Sequence, residues 1–120
     1  MKYVLVTGAC GGMGNATVDL LLSKGYTIFA LDLNAVPARE RVIPIAADIT
    51  DALSLQKAFA LISDVTDTLN AIIHFAGVYM LDSLIEISEE RITKAFDINV
   101  FGAYRVNKIF APLLKKEAGL

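Results

Sequence analysis

Two kinds of apolar pattern alternate along this chain. Short apolar segments rich in β-branched residues predict strands, and longer segments in which apolar residues recur every three or four positions predict helices. The predicted strands lie near 2–7, 26–31, 42–47 and 70–76, and the predicted helices lie near 13–24, 52–63 and 89–117. This alternation is typical of a parallel sheet whose strands are joined by helical crossovers.

The fourth predicted strand is apolar at nearly every position from Ala71 to Ala76. A strand without polar alternation is buried on both faces. We therefore expect helices on both sides of the sheet, in a three-layer, doubly wound α/β arrangement. The length of 120 residues predicts a single domain, 1–120.

Local signals mark the ends of the predicted helices. Gly25 closes the first helix, and Thr50 or Asp51 caps the second. Ser88 caps the third helix at its start. Pro112 is expected to loosen the last turns of this helix because proline lacks an N–H donor.

Composition and charge exclude several classes of protein and site. The net charge is −2 and the Lys and Arg side chains are scattered, so nucleic-acid binding is not expected. No apolar segment reaches the length of about 18 residues that spans a bilayer, and we expect a cytoplasmic protein. A single cysteine, Cys10, excludes an internal disulfide and a cysteine-based zinc cluster, and a single histidine, His74, has no partner for binding a metal.

A glycine-rich segment separates the first predicted strand from the first predicted helix. It contains Gly8, Gly11, Gly12 and Gly14. Glycine lets the backbone approach a ligand closely, and the free N–H groups of the following helix point to the same place. The arrangement of strand, glycine turn and helix therefore predicts a site for the pyrophosphate of a dinucleotide.

An acidic residue follows the second predicted strand. Asp32 lies 18 residues beyond Gly14, near the spacing at which an acid accepts hydrogen bonds from the ribose hydroxyls of a dinucleotide. The carboxylate would repel a 2′-phosphate, and the next residues, Leu33 and Asn34, supply no neutralising cation. The sequence therefore favours NAD(H) over NADP(H). The alternative interpretation of Asp32 is a solvated turn residue.

Asp48 and Ile49 follow the third predicted strand in the same way. At that position they can reach the edge of the adenine ring. The alternative role of Asp48 is to cap the helix that follows, and the two roles are compatible.

These landmarks together resemble the N-terminal half of the short-chain dehydrogenase/reductase family. The family's cofactor motif corresponds to Thr7, Gly8, Gly12 and Gly14, and further landmarks correspond to Asp32, to Asp48-Ile49, to Ala76-Gly77 and to Asn99. The resemblance implies a Rossmann-like sheet and a nicotinamide dinucleotide as cofactor. It also implies that Asn99 is the asparagine of the catalytic tetrad. The predicted cofactor-binding residues are Gly8, Cys10, Gly12, Met13, Gly14, Asp32, Leu33, Asp48, Ile49, Ala76 and Gly77.

The chain also departs from the family pattern. His74 and Phe75 stand where the family has two asparagines, so side-chain hydrogen bonds that brace the centre of the sheet are expected to be changed or lost. The spacing of the glycines also fits the family's extended branch. The segment from Ile98 to Gly102, continuing through Pro112, resembles the long dimer-forming helix of the classical branch, which we favour.

The resemblance implies a catalytic serine and a Tyr-x-x-x-Lys pair that this sequence does not supply. Tyr104 and Lys108 have the spacing, but they lie just past Asn99 on the same predicted helix, with no fifth strand before them. We interpret them as a packing tyrosine beside a solvated lysine. The chain is therefore expected to bind NAD(H) as part of an oxidoreductase for alcohols or carbonyls while being catalytically incomplete. The alternative is a non-enzymatic module that senses NAD(H) or binds another protein.

The resemblance also implies the strand order 3-2-1-4, with the sheet ending after about four strands. The outer edge of the fourth strand is then unpaired, and an apolar, unpaired edge promotes association. The predicted 89–117 helix carries an apolar arc wider than a sheet alone would cover. We therefore expect a homo-oligomer that buries this edge or the outer face of that helix.

Overall fold

The computed structural model describes residues 1–119, and the side chains of residues 1–115. The first half of the chain contains β1 (Tyr3–Thr7), α1 (Gly12–Ser23), β2 (Thr27–Asp32), β3 (Val42–Ala46) and α2 (Ala52–Ser63). The second half contains β4 (Leu69–His74), α3 (Glu89–Phe96), a π-helical segment (Asp97–Gly102), α4 (Ala103–Phe110), a 3₁₀ turn (Ala111–Leu113) and β5 (Leu114–Gly119). The five strands form one parallel sheet in the order β3-β2-β1-β4-β5.

The central strand β1 pairs with β2 on one side and with β4 on the other. Thr7 at its carboxyl end is level with Leu31 of β2 and with His74 of β4. The strand order therefore reverses between β1 and β4, which is the place where doubly wound sheets open a crevice for ligands.

Helices cover both faces of the sheet, as predicted. One face buries Leu5, Phe29 and Ile72 against α2 and α4, with Val106 and Phe110 of α4 fully buried. The other face packs an apolar cluster against α1, formed by Val4, Val6, Val18, Ile28, Ala30 and Val42. The three-layer, doubly wound Rossmann-like fold is therefore confirmed.

The three helices begin or end at the capping residues predicted from the sequence. Asp51 caps α2 by accepting a hydrogen bond from the N–H of Leu53 at 3.0 Å. Ser88 caps α3 by accepting from the N–H of Arg91 at 3.2 Å. Gly25 follows α1 and donates to the carbonyl of Leu22, which ends that helix.

The prediction of one helix over 89–117 is wrong. The helix widens into π geometry at Asp97–Gly102, and α4 ends at Phe110. The chain then makes a 3₁₀ turn that contains Pro112 and continues as β5. Proline lacks the N–H that another α-helical turn would require, so the chain leaves the helix here.

The prediction that the outer edge of β4 is unpaired is also wrong. β5 pairs in parallel with β4, with Leu114 opposite Leu69 and Gly119 opposite Ala71. The sheet thus extends the predicted order by one strand, and β5 occupies the edge through which association was expected. Among the helices described, none has both the length and the apolar character needed to cross a membrane.

Candidate functional site

A crevice of about 550 Å³ opens at the carboxyl ends of β1 to β4, at the point where the strand order reverses. It is lined by the predicted residues Gly8, Cys10, Asp32, Leu33, Asp48, Ile49, Ala76 and Gly77. The other predicted residues, Gly12, Met13 and Gly14, lie in the first turn of α1 beside the crevice rather than on its wall. The fold therefore gathers segments that lie far apart along the chain, such as Gly8 and Gly77, which are 69 residues apart, around one opening.

The glycine turn is shaped by close backbone contacts. Gly8 has a φ of +67°, and a Cβ atom there would lie 2.5 Å from the backbone nitrogen of Ala76. A Cβ atom at Gly14 would lie 2.0 Å from the carbonyl oxygen of Gly8. A Cβ atom at Gly12 would meet nothing within 4 Å. Gly8 and Gly14 thus let the turn fold, whereas Gly12 leaves space open beside the crevice.

Three backbone N–H groups begin α1 at this turn. The N–H of Gly11 donates to the carbonyl of Gly8, and the helical pairing starts with the N–H of Asn15 to the carbonyl of Gly11. The N–H groups of Gly12, Met13 and Gly14 therefore have no acceptor within the helix, as is general for a first turn. Such donors, together with the positive end of the helix dipole, favour an anion.

The Asp32 carboxylate connects the glycine turn to the end of β2. Its Oδ2 atom accepts a hydrogen bond from the N–H of Cys10, and its Oδ1 atom accepts from the N–H of Asn34, both at 2.9 Å. The residue is half-buried, so it is not the freely solvated turn residue of the alternative interpretation. Each oxygen retains a lone pair that can accept from a hydroxyl group. Sequence reasoning missed the bond to Cys10.

Asp48 makes a local turn with Thr50 and does not cap α2. Its Oδ1 atom accepts from the hydroxyl of Thr50 at 2.7 Å and from the N–H of Thr50 at 2.9 Å. Both hydrogen bonds lower the pKa of the Asp48 carboxyl, and the bond from the hydroxyl has the larger effect. Burial raises this pKa, and the nearby charge of Arg105 lowers it. Asp48 is thus held ionised, as a hydrogen-bond acceptor at the crevice wall.

Asn99 holds the opposite wall of the crevice. It lies in the π-helical segment, and its Oδ1 atom accepts from the N–H of Val78 at 2.7 Å. Its Nδ2 atom donates to the carbonyl of Val78 at 2.6 Å. Both polar ends of the side chain are therefore used to fix the loop that contains Gly77.

Three further residues near the site were not found from the sequence. Arg105 on α4 contacts the backbone of Ile49 and of Asp97, and Lys94 and Ile98 line the crevice. No local pattern marks them, since each reaches the site from a helix far away along the chain.

Tyr104 and Lys108 do not line the crevice. The Nζ atom of Lys108 lies 5.7 Å from the centre of the Tyr104 ring, which is a cation–π contact on the surface of α4. The tyrosine is 56% exposed, so the interpretation of a packing residue is wrong. Among the side chains that the structure describes, no three His, Cys, Asp or Glu residues form a group that could hold a metal ion.

Comparisons with known proteins agree with this architecture. A family model described as short chain dehydrogenase matches residues 2–120. A crystal structure of a short chain dehydrogenase family protein from Francisella tularensis has a TM-score of 0.87 at 31% identity, covering 98% of this chain and 48% of that one.

Curated relatives show the same similarity in sequence. The "Probable short-chain type dehydrogenase/reductase VdlC" of Helicobacter pylori is 30% identical over 117 residues, which cover 94% of this chain and 43% of that protein. The NAD-dependent glycerol dehydrogenase of Listeria innocua is 29% identical over 115 residues, which cover 90% of this chain and 45% of that protein. The chain therefore spans a little under half the length of these relatives.

Proposed function

The chain belongs to the short-chain dehydrogenase family, and we propose that it is the NAD(H)-binding portion of an oxidoreductase that acts on an alcohol or carbonyl substrate. The observation that carries this proposal is the position of Asp32. Its carboxylate lies at the lip of the crevice and is hydrogen-bonded to the glycine turn through the N–H of Cys10. This bond holds the proposed acceptor for the ribose beside the proposed donors for the pyrophosphate.

The crevice fits a dinucleotide in its volume and in its donors and acceptors. A volume of about 550 Å³ lies within the range usual for cofactor sites. The open space beside Gly12 leaves room for a phosphate to approach the first turn of α1. Asp48, ionised at neutral pH, would accept from the amino group of the adenine ring at the other end.

The negative charge of Asp32 at the opening of the crevice favours NAD(H) over NADP(H). A 2′-phosphate would come close to the Asp32 carboxylate, and two negative charges in contact repel each other. The exposed neighbour of Asp32 is the apolar side chain of Leu33, which cannot neutralise a phosphate. The name of the glycerol dehydrogenase relative, which specifies NAD, is consistent with this preference.

A nicotinamide cofactor bound in the crevice would supply hydride transfer. In this chain, Asn99 positions the Gly77–Val78 loop, and an amide side chain cannot act as a proton donor or acceptor in catalysis. Tyr104 and Lys108 lie outside the crevice. We therefore expect these 120 residues to bind NAD(H) without turnover, and the activity of a longer protein would need a serine and a Tyr-x-x-x-Lys pair from elsewhere.

We also expect self-association through the outer surface of α3, the π-helical segment and α4. Phe96, Phe101 and Tyr104 are each more than half exposed on this surface. Exposed aromatic clusters of this kind are usually covered by a partner. A monomer in light scattering at micromolar concentration would contradict this expectation.

Isothermal titration calorimetry tests the proposed function. We expect NAD⁺ to release heat on binding, NADP⁺ to bind more weakly, and the Asp32→Ala variant to lose about tenfold to a hundredfold in affinity for NAD⁺ because charge-assisted hydrogen bonds are removed. Asp64→Ala, which removes an exposed carboxylate after α2, is the matched control and should bind as the unmodified chain does. Equal affinity for NAD⁺ in Asp32→Ala would contradict the proposal, as would hydride transfer to a ketone by this chain alone.

A further inference from the structure

The π-helical segment and the start of α4 contact both walls of the crevice. Asn99 holds the Gly77–Val78 wall through two hydrogen bonds to Val78. On the other wall, a Cβ atom at Gly102 would lie 2.5 Å from the Cδ1 atom of Ile49, so the Ile49 side chain rests directly on the helix backbone. Ile49 is only 8% exposed.

Arg105 adds a polar connection to the same wall. Its Nη1 atom donates to the carbonyl of Ile49 at 3.1 Å and to the carbonyl of Asp97 at 3.2 Å. Its Nη2 atom pairs with the Asp97 carboxylate. The contacts to Asp97 thus fix the planar guanidinium against the π-helical segment. The contact to the carbonyl of Ile49 orients the loop after β3.

The carbonyl of Ile49 and the N–H of Thr50 belong to one peptide group. A peptide group is planar and trans, so its C=O and N–H point in opposite directions. Here the C=O points to Arg105, and the N–H donates to the Asp48 carboxylate at 2.9 Å. The orientation that Arg105 imposes on this peptide therefore also sets where the Asp48 carboxylate lies in the crevice.

We propose that Arg105 is a positioning residue for adenine recognition, acting through the Ile49–Thr50 peptide to hold the Asp48 carboxylate towards the ligand. This inference rests on the proposed NAD(H) site. Arg105 does not touch the ligand in this arrangement. Its function is to give Asp48 one position instead of several, which lowers the entropy lost on binding.

Paired ligands separate positioning from general stability. The hypoxanthine analogue of NAD⁺ lacks the exocyclic amino group that would donate to Asp48. We expect the unmodified chain to bind NAD⁺ about tenfold more tightly than this analogue. In Arg105→Met the preference should fall to about onefold or twofold, because the carboxylate is no longer held in place. Arg105→Lys, which retains one donor, should keep an intermediate preference.

The control variant is Arg91→Met, which removes the arginine that pairs with Asp82 on the exposed side of α3. It should retain the full preference for NAD⁺. If Arg105→Met weakened both ligands equally, Arg105 would have only a structural role and the inference would be overturned. The inference would also be overturned if the unmodified chain did not distinguish the two ligands.

Hydrogen exchange of the Thr50 amide in the ligand-free chain gives a readout that does not depend on binding. We expect this amide to exchange at least about tenfold faster in Arg105→Lys, because a single ammonium group cannot bind the Ile49 carbonyl and the Asp97 segment together as the guanidinium does. Unchanged exchange would overturn the inference even if Arg105→Met did not fold. If the unmodified chain bound neither ligand, the proposed function would fail, whereas the exchange result would still show whether Arg105 fixes this peptide.

Discussion

The Nε2 atom of His74 lies 2.7 Å from the Oδ1 atom of Asn107, which joins the end of β4 to α4. An amide oxygen only accepts hydrogen bonds, so the imidazole donates from Nε2 in this pair. This bond braces the centre of the sheet against α4. Whether it replaces a bond made by the family's asparagines stays a prediction.

The first prediction concerns the stability of this pair. Both residues are half-buried. His74→Ala and Asn107→Ala should each lower the free energy of unfolding by about 1–2 kcal/mol, because each leaves a polar partner without its hydrogen bond. Urea denaturation of the single and double variants should reveal a coupling of about 1 kcal/mol. Strictly additive losses would show that the two side chains do not interact.

The second prediction separates two glycines of the turn. Gly14→Ala should lower the free energy of unfolding by about 2 kcal/mol or more, because the new methyl group would collide with the carbonyl oxygen of Gly8. Gly12→Ala should change it by no more than about 1 kcal/mol, since its methyl group enters open space. The same Gly12 variant should bind NAD⁺ more weakly. Thermal unfolding and calorimetry measure the two effects, and a stable Gly14→Ala variant would refute the packing argument.

The third prediction concerns acid. The pKa of Asp48 is lowered in the folded chain, chiefly by the hydroxyl and the N–H of Thr50. A lowered pKa stabilises the fold at pH values above the ordinary aspartate pKa of about 4, and this contribution is lost as the pH falls through the lower folded value. Asp48→Asn should therefore lower stability at pH 7 and flatten its decline below about pH 4.

Thr50→Val provides the comparison for the acid prediction. It removes the hydroxyl donor but keeps the backbone N–H, so the same change is expected with a smaller size. Denaturant titrations between pH 2 and pH 7 measure both variants. A pH dependence identical to that of the unmodified chain in both variants would contradict the argument.

The fourth prediction uses Cys10 as a probe of the site. It is the only cysteine of the chain, it is exposed, and it lines the crevice. NAD⁺ should therefore slow its alkylation by iodoacetamide, which mass spectrometry detects. The protection should disappear in Asp32→Ala at the same NAD⁺ concentration. Equal alkylation rates with and without saturating NAD⁺ would place the ligand elsewhere.

The first four strands and the first two helices could be predicted from the sequence because their signals are local. Apolar runs, a capping aspartate at Asp51 and a closing glycine at Gly25 each act within a few residues. β5 was missed because three of the six residues in Leu114–Gly119 are charged, and the segment becomes a strand by pairing with β4. The π-helical segment was missed because helical apolar periodicity continues through it.

The residues of the candidate site could be predicted from the sequence, but the contacts that hold them in place could not. The glycine turn, Asp32 and Asp48 carry their chemistry in their residue types and in their places after strands, so the primary structure was sufficient to locate them. The bond from Cys10 to Asp32 spans 22 residues, and that from Arg105 to Ile49 spans 56. The first depends on the pairing of β1 with β2, and the second depends on how α4 lies on the sheet, which no local pattern encodes. Local chemistry thus predicted which segments line the crevice, whereas long-range packing determined which side chains hold those segments in place.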